Sequence, residues 1–172
     1  MTNKYPLNSQ KQADFILFKT IVELINNKEH LTTEGLDKIV NLRASMNKGL
    51  SDSLKAAFPN TLPVLRPVVY PQIQDPNWLA GFVSGEGCFV VHLFKANTKT
   101  GFAVQLLFKI TQHSRDEQLM RSLEEYLGCG SYLPYSNRAA GDFVVTKFSD
   151  TTDKIIPFFD KCPVSGVKAL DF

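Results

Sequence analysis

Prolines at positions 59, 63, 67 and 71 divide this chain more firmly than any other feature of its sequence. Recurring every fourth residue, they remove backbone donors and crowd the preceding turn, so no helix can run through them. Residues 59–74 are therefore expected to form an extended linker. Hydrophobic periodicity differs on its two sides, which predicts a helical segment over 1–58 and a mixed segment over 75–172.

In the first segment, Ala13, Ile16, Leu17, Ile21, Val22, Leu24 and Ile25 recur at helical spacing within residues 9–27. A second helix is expected from the Thr32-Thr33 cap through Leu36, Ile39, Val40 and Leu42 toward Met46. Ser51 is placed to cap a short turn over 52–58. Past the linker, Asp75-Pro76 is a strong helix start, and Gly87 is placed to stop that helix. Two strands follow, 88–94 and 102–112, joined by a polar loop. In the second strand Phe102, Val104, Leu106, Phe108 and Ile110 share one face, while Ala103, Gln105, Leu107, Lys109 and Thr111 share the other. The apolar face predicts a core side and the mixed face a wet side. Ser114 is then expected to cap a helix reaching Leu127, stopped by Gly128 or Gly130. Strands over 131–135 and 142–148 and a short helix over 153–159 complete the pattern.

Composition narrows the class. At 44% hydrophobic and 21% charged residues, the chain has the balance of an ordinary globular protein and not of a disordered one. No stretch approaches the roughly 18 uninterrupted apolar residues of a membrane helix, so no membrane partner is expected. The opening MTNKYPLNSQKQ has neither an apolar h-region nor an arginine-rich amphipathic pattern, so no secretory or import signal is visible. The protein is expected to act where it is made. Cys88, Cys129 and Cys162 lack CxxC spacing and read as reduced thiols, not as a zinc site or a disulfide framework. The net charge of +2 says little about nucleic acid, but its distribution says more. Between Cys88 and Gln112 lie Lys95, Lys99, Lys109 and His92 with no acid, whereas the next segment carries Asp116, Glu117, Glu124 and Glu125.

The segment that concentrates chemistry is Trp78-Leu79-Ala80-Gly81-Phe82-Val83-Ser84-Gly85-Glu86-Gly87. Gly81 and Gly85 stand one helical turn apart, the spacing at which two helix backbones approach closely. Each glycine costs about 1 kcal/mol in a helix, and Glu86 sits at the C-terminal end, where the dipole disfavours an anion. Rules broken at neighbouring positions point to function. Two such helices packed through their glycines would bring two carboxylates together, an arrangement that a hard divalent cation such as Mg²⁺ relieves. On spacing alone, an exposed glutamate beside a glycine turn explains these residues as well. Unpaired, the Trp78–Val83 face of this helix is expected to expose an apolar patch.

LAGFVSGEG over 79–87 resembles the signature of the LAGLIDADG homing endonucleases, with Glu86 at the acidic metal-binding position. GCFVV, FKITQHSRD, EEYLGCG, FVVTKFSD and GVKALDF resemble the second repeat of the two-repeat organellar members. YPLNSQKQADF, NNKEHLTTEGLDKIVNLRASMNKGLS and LKAAFPN resemble the closing helices of a first repeat and the linker after it.

The resemblance implies an α+β LAGLIDADG fold, with a four-stranded antiparallel sheet lying in a DNA major groove, and helices packed behind it. It implies hydrolysis of both strands of double-stranded DNA with Mg²⁺ or another divalent cation, which activates water and stabilises the leaving 3′-oxygen. Glu86 is then the catalytic and metal-binding acid, Gln112 a strand-end residue near the cleavage centre, and Lys168 a cation that stabilises phosphate charge. Gln105, Lys109 and Thr111, with His92 in the preceding strand, would meet base edges, and Lys95 and Lys99 would meet phosphates or flanking bases. Gly81 and Gly85 would pack against a second signature helix. Organelle encoding, and so a mitochondrial location, is implied as well.

The sequence departs from the family in carrying a single signature helix. Its elements amount to about one repeat in permuted order: closing helices, linker, core helix and sheet, with residues 75–172 lacking closing helices of their own. The chain is then expected to work with a second LAGLIDADG repeat, from another copy or a complementary fragment. The rival readings are a maturase-like cofactor that holds intron RNA and assists splicing, and an inactive remnant.

Overall fold

The computed structural model describes residues 7–170, in two compact units, 1–70 and 71–172. Tyr5-Pro6 and Asp171-Phe172, which begin and end two of the resembling stretches, lie outside the described residues.

The first unit holds α1 (Lys11–Asn26), α2 (Thr33–Ala44) and α3 (Asp52–Ala57). The Thr32 hydroxyl accepts from the Gly35 N–H at 3.0 Å, and the Ser51 hydroxyl accepts from Leu54 at 3.4 Å, satisfying donors that a helix start leaves free. Leu17, Leu42 and Met46 make a small core with Ile21, Leu24 and Val64 around them. The Arg66 guanidinium lies 2.6 Å from the Asp14 carboxylate and donates to the carbonyls of Ser45 and Gln10. Residues 59–75 carry no helix or strand, as the proline spacing requires, yet up to Arg66 they are bonded to α1 and α2.

The second unit begins with α4 (Pro76–Glu86), whose cap Asp75 accepts from the Asn77 N–H at 2.9 Å. α4 passes without a loop into β1 (Gly87–Lys95), followed by β2 (Phe102–His113), α5 (Glu117–Leu127), β3 (Ser131–Pro134) and β4 (Ala140–Val145). α6 (Phe148–Asp150) and α7 (Ile156–Lys161) close the order, with a short 3-10 helix at Val167–Leu170. The sheet is four-stranded and antiparallel in the order β1-β2-β4-β3, the α+β architecture expected of the LAGLIDADG fold. Leu79 and Val83 of α4, Leu123 of α5 and Phe159 of α7 pack on Ile110 and Phe143 of the sheet, all essentially inaccessible to solvent. No helix among the described residues is long and apolar enough to cross a membrane.

Three expectations are corrected. Ser114 does not cap α5. Its N–H donates to the Ala139 carbonyl at 3.1 Å, and it opens a 3-10 turn, Ser114–Asp116, that the His113 ring caps by accepting from the Arg115 N–H at Nδ1; α5 itself starts after Asp116 with no side-chain cap. The last strand ends at Val145, and helix begins at Phe148 within a stretch whose alternating valine, threonine and phenylalanine read as strand. Thr151, Ile155 and Phe159 form a buried stripe at four-residue spacing, so helical burial overrides local propensity. A π-helical turn at Thr151–Ile155 precedes Pro157, and the wider turn accommodates a ring that clashes with regular helical carbonyls. Finally, the apolar face of β2 is buried only at its inner half. Phe108 and Ile110 are in the core, whereas Phe102 is 50% and Val104 64% exposed, because α4, α5 and α7 pack on the inner end of the sheet.

The α4–β1 junction depends on Gly87. Its backbone is extended (φ −78°), but a Cβ there would stand 2.5 Å from Val83 Cγ1 and 2.8 Å from the Val83 carbonyl oxygen. Gly87→Ala is expected to lower the unfolding free energy by about 1–3 kcal/mol, the range for overpacking, in urea denaturation. An unchanged midpoint would mean that the junction is looser than this geometry.

Candidate active site and nucleic-acid face

Glu86 is the last residue of α4, and its side chain is exposed. The end of a helix leaves carbonyl oxygens unpaired and carries partial negative charge. Here the segment around residues 165–168 answers part of that need. The Lys168 ammonium donates to the Gly85 carbonyl at 2.7 Å, and the Ser165 N–H donates to the Ser84 hydroxyl at 2.8 Å. A cation is thus held beside the residue preceding Glu86. Gln112 is half-buried and shares the helix side of β2 with Ile110. Ile110 pairs with Gly87, so Gln112 lies two residues past the point where α4 enters the sheet.

Glu86 offers a hard oxygen donor of the kind Mg²⁺ prefers. Among the described residues no three His, Cys, Asp or Glu side chains gather into a group that could hold a metal ion.

The outward face of α4 differs from the expected apolar patch. Leu79 and Val83 are fully buried, and Trp78 and Phe82 stack at 5.0 Å while packing against the core. What is exposed is Asn77, Gly81 and Gly85. A Cβ at Gly81 or Gly85 would meet nothing within 4 Å. No neighbour in the described chain therefore requires either glycine. Gly85→Ala is expected to stabilise the isolated chain by up to ~1 kcal/mol in chemical denaturation, the helix-propensity gain. A loss of stability would show that the position is already packed.

The solvent face of the sheet gathers most of the predicted DNA-contacting residues. His92 pairs with Gln105, Lys109 with Val144 and Thr111 with Asp142, so His92, Gln105, Lys109, Thr111 and Asp142 lie on one face. Lys95 ends β1 on the helix-side parity, and Lys99 is exposed in the β1–β2 loop.

Asp142 was not among the residues that sequence reasoning selected, yet it is the most connected group on this face. It is 8% exposed. Thr111 donates to Oδ1 at 2.7 Å, Tyr135 donates to Oδ2 at 2.6 Å, and the Lys109 ammonium stands 3.5 Å from Oδ2. Arg138 stacks over the Tyr135 ring at 4.1 Å. Burial alone would push the Asp142 carboxyl up. The hydrogen bonds from Tyr135 and Thr111, with the Lys109 charge, outweigh it and hold the group below the ordinary aspartate value. The sequence did carry a weak signal, since aspartate is unusual within a strand; its place opposite Thr111 comes from the strand register.

The profile for the LAGLIDADG endonuclease family matches residues 79–172. A Neurospora crassa protein named probable intron-encoded endonuclease 3 is 47% identical over 98% of this chain and 32% of its own length. The solved structure of the I-SmaMI LAGLIDADG homing endonuclease bound to cleaved DNA superposes with a TM-score of 0.95 at 50% identity, covering 98% of this chain and 57% of that one. I-SmaMI bound to uncleaved target in the presence of calcium ions gives the same TM-score and identity. The chain belongs to the LAGLIDADG endonuclease family. It spans about a third of the Neurospora relative and just over half of the solved chains.

Because the folded Asp142 carboxyl titrates below its unfolded value of about 3.9, its contribution to stability is full above that value. It is lost as pH falls through the lower, folded one. Asp142→Asn is expected to flatten the acid limb of the stability curve below about pH 4, read by urea unfolding across that range. An identical acid limb in the variant would contradict the assigned network.

Proposed function

We propose that this chain supplies one half of a metal-dependent, site-specific endonuclease for double-stranded DNA, with Glu86 as its catalytic acid. The observation that carries the reading is the placement of Glu86 at the exposed end of a helix whose outward stripe is asparagine and glycine. Such a stripe lets a second signature helix approach closely, and the second helix would bring a second carboxylate beside Glu86. The partner is a second LAGLIDADG repeat, from another copy of the chain or from a complementary fragment.

Glu86 would hold Mg²⁺ or another divalent cation together with that second carboxylate. The bound cation would supply the charge that activates water and stabilises the leaving 3′-oxygen. Lys168, already at the end of α4, would offset phosphate charge, and Gln112 would orient groups at the same end of the sheet. His92, Gln105, Lys109 and Thr111 would meet base edges, with Lys95 and Lys99 on phosphates or flanking bases. The exposed apolar outer half of the sheet is a surface that the closing helices of a repeat would cover. Residues 1–58 correspond to closing helices of a preceding repeat, and 59–74 to the linker. Likeness to an intron-encoded relative supports a mitochondrial site of action.

Selection of a cleavable duplex from a randomised pool tests this, using the chain alone and mixed with a first-repeat fragment. Cleavage that requires a divalent cation, and that falls at least a hundredfold in Glu86→Gln while duplex binding persists, is the expected result. Splicing support from Glu86→Gln without cleavage by either form would instead assign the face to intron RNA.

A further inference from the structure

The solvent face of the sheet presents an acid where a polyanion is expected to dock, and a bare carboxylate there would repel phosphate. Asp142 is not bare. Both of its oxygens are engaged, by Thr111, Tyr135 and Lys109 from β2 and from the residue after β3. The consequence lies in the direction of the protons. A hydroxyl can donate or accept, so a free threonine or tyrosine distinguishes poorly between base edges. An ionised carboxylate can only accept. The Thr111 and Tyr135 hydroxyls must therefore spend their protons on Asp142, which leaves them only lone pairs to offer a further partner. Both residues are half-buried, so part of each remains open to the surface. Arg138, stacked on the Tyr135 ring, restricts that side chain further.

We infer that Asp142 is a specificity-determining residue of this face: it converts the Thr111 and Tyr135 hydroxyls into fixed acceptors beside the Lys109 donor. This rests on the DNA reading of the face. Fixed acceptors match the exocyclic amino groups of adenine and cytosine and leave the keto oxygens of guanine and thymine unpaired. The unit thus reads amino against keto at the base edges opposite Thr111 and Tyr135, while Lys109 favours guanine next to them. Asp142 acts through these side chains and is a positioning residue.

The test is enrichment of bound duplexes from a randomised pool by the unaltered chain, Asp142→Asn and Thr111→Val. The unaltered chain should prefer adenine or cytosine over guanine or thymine about tenfold at one or two adjacent positions of one strand. Asp142→Asn should reduce that preference below about twofold, because an amide can donate and releases the hydroxyls from their fixed role. Enrichment at the other positions should persist, and binding to unrelated duplex should be equal or tighter, since a negative charge has left the face. Thr111→Val should lose the preference at its own position only, which keeps the inference testable if Asp142→Asn does not fold. Retention of the amino preference in Asp142→Asn would overturn the inference. So would a uniform loss at every position, which marks a purely structural role. If the unaltered chain enriches no sequence either alone or mixed with a first-repeat fragment, the DNA reading falls, and this inference with it.

Discussion

The proposed site and the sheet beneath it both depend on the junction at which α4 becomes β1 with no intervening loop. Leu79 and Val83 bury one face of the helix in the sheet's core, and Gly87 turns the backbone directly into the first strand against Val83. A loop here would let the helix end wander. Its absence ties Glu86 to the register of β1 and β2, and so to the strands that carry the face proposed to read DNA. The same packing leaves Gly81 and Gly85 outward. One side of α4 is committed to the fold, and the other is free for a partner backbone.

The end of α4 and the solvent face of the sheet handle charge in opposite ways. At the helix end, an exposed carboxylate is kept where the dipole opposes it, with the Lys168 ammonium held on the preceding carbonyl. That arrangement suits an acid awaiting a cation. On the sheet, the Asp142 carboxylate is buried, saturated by hydrogen bonds and paired with a lysine, which suits an acid that orders its neighbours. Under the proposed function, these two carboxylates would take different roles because of their surroundings, not their chemistry.

Much of the fold was legible because its strongest signals are local. The proline spacing, the Asp75-Pro76 start and the alternation in β2 each dictate conformation within a few residues. Where tertiary contacts decided, the sequence misled. The strand-like valine run does not predict a buried helical stripe at Thr151, Ile155 and Phe159, and a 3-10 turn at Ser114–Asp116 moves the start of α5 past Ser114. The exposure of Phe102 and Val104 was equally hidden, since an apolar strand face does not say how far its helices reach. For the site, Glu86 stood out by breaking helix rules, and Lys168 only by resemblance. Asp142 escaped notice because its importance lies in contacts with Thr111 and Tyr135 that only strand register creates.

The central claim is that Glu86 is half of a pair completed across the glycine face of α4. It is tested most directly by the solution mass of the purified chain at micromolar concentration, alone and mixed with a fragment carrying a first signature helix. The account predicts a two-chain complex in at least one of these samples, lost when Gly81 and Gly85 are both replaced by leucine. A soluble monomer in both samples would contradict it.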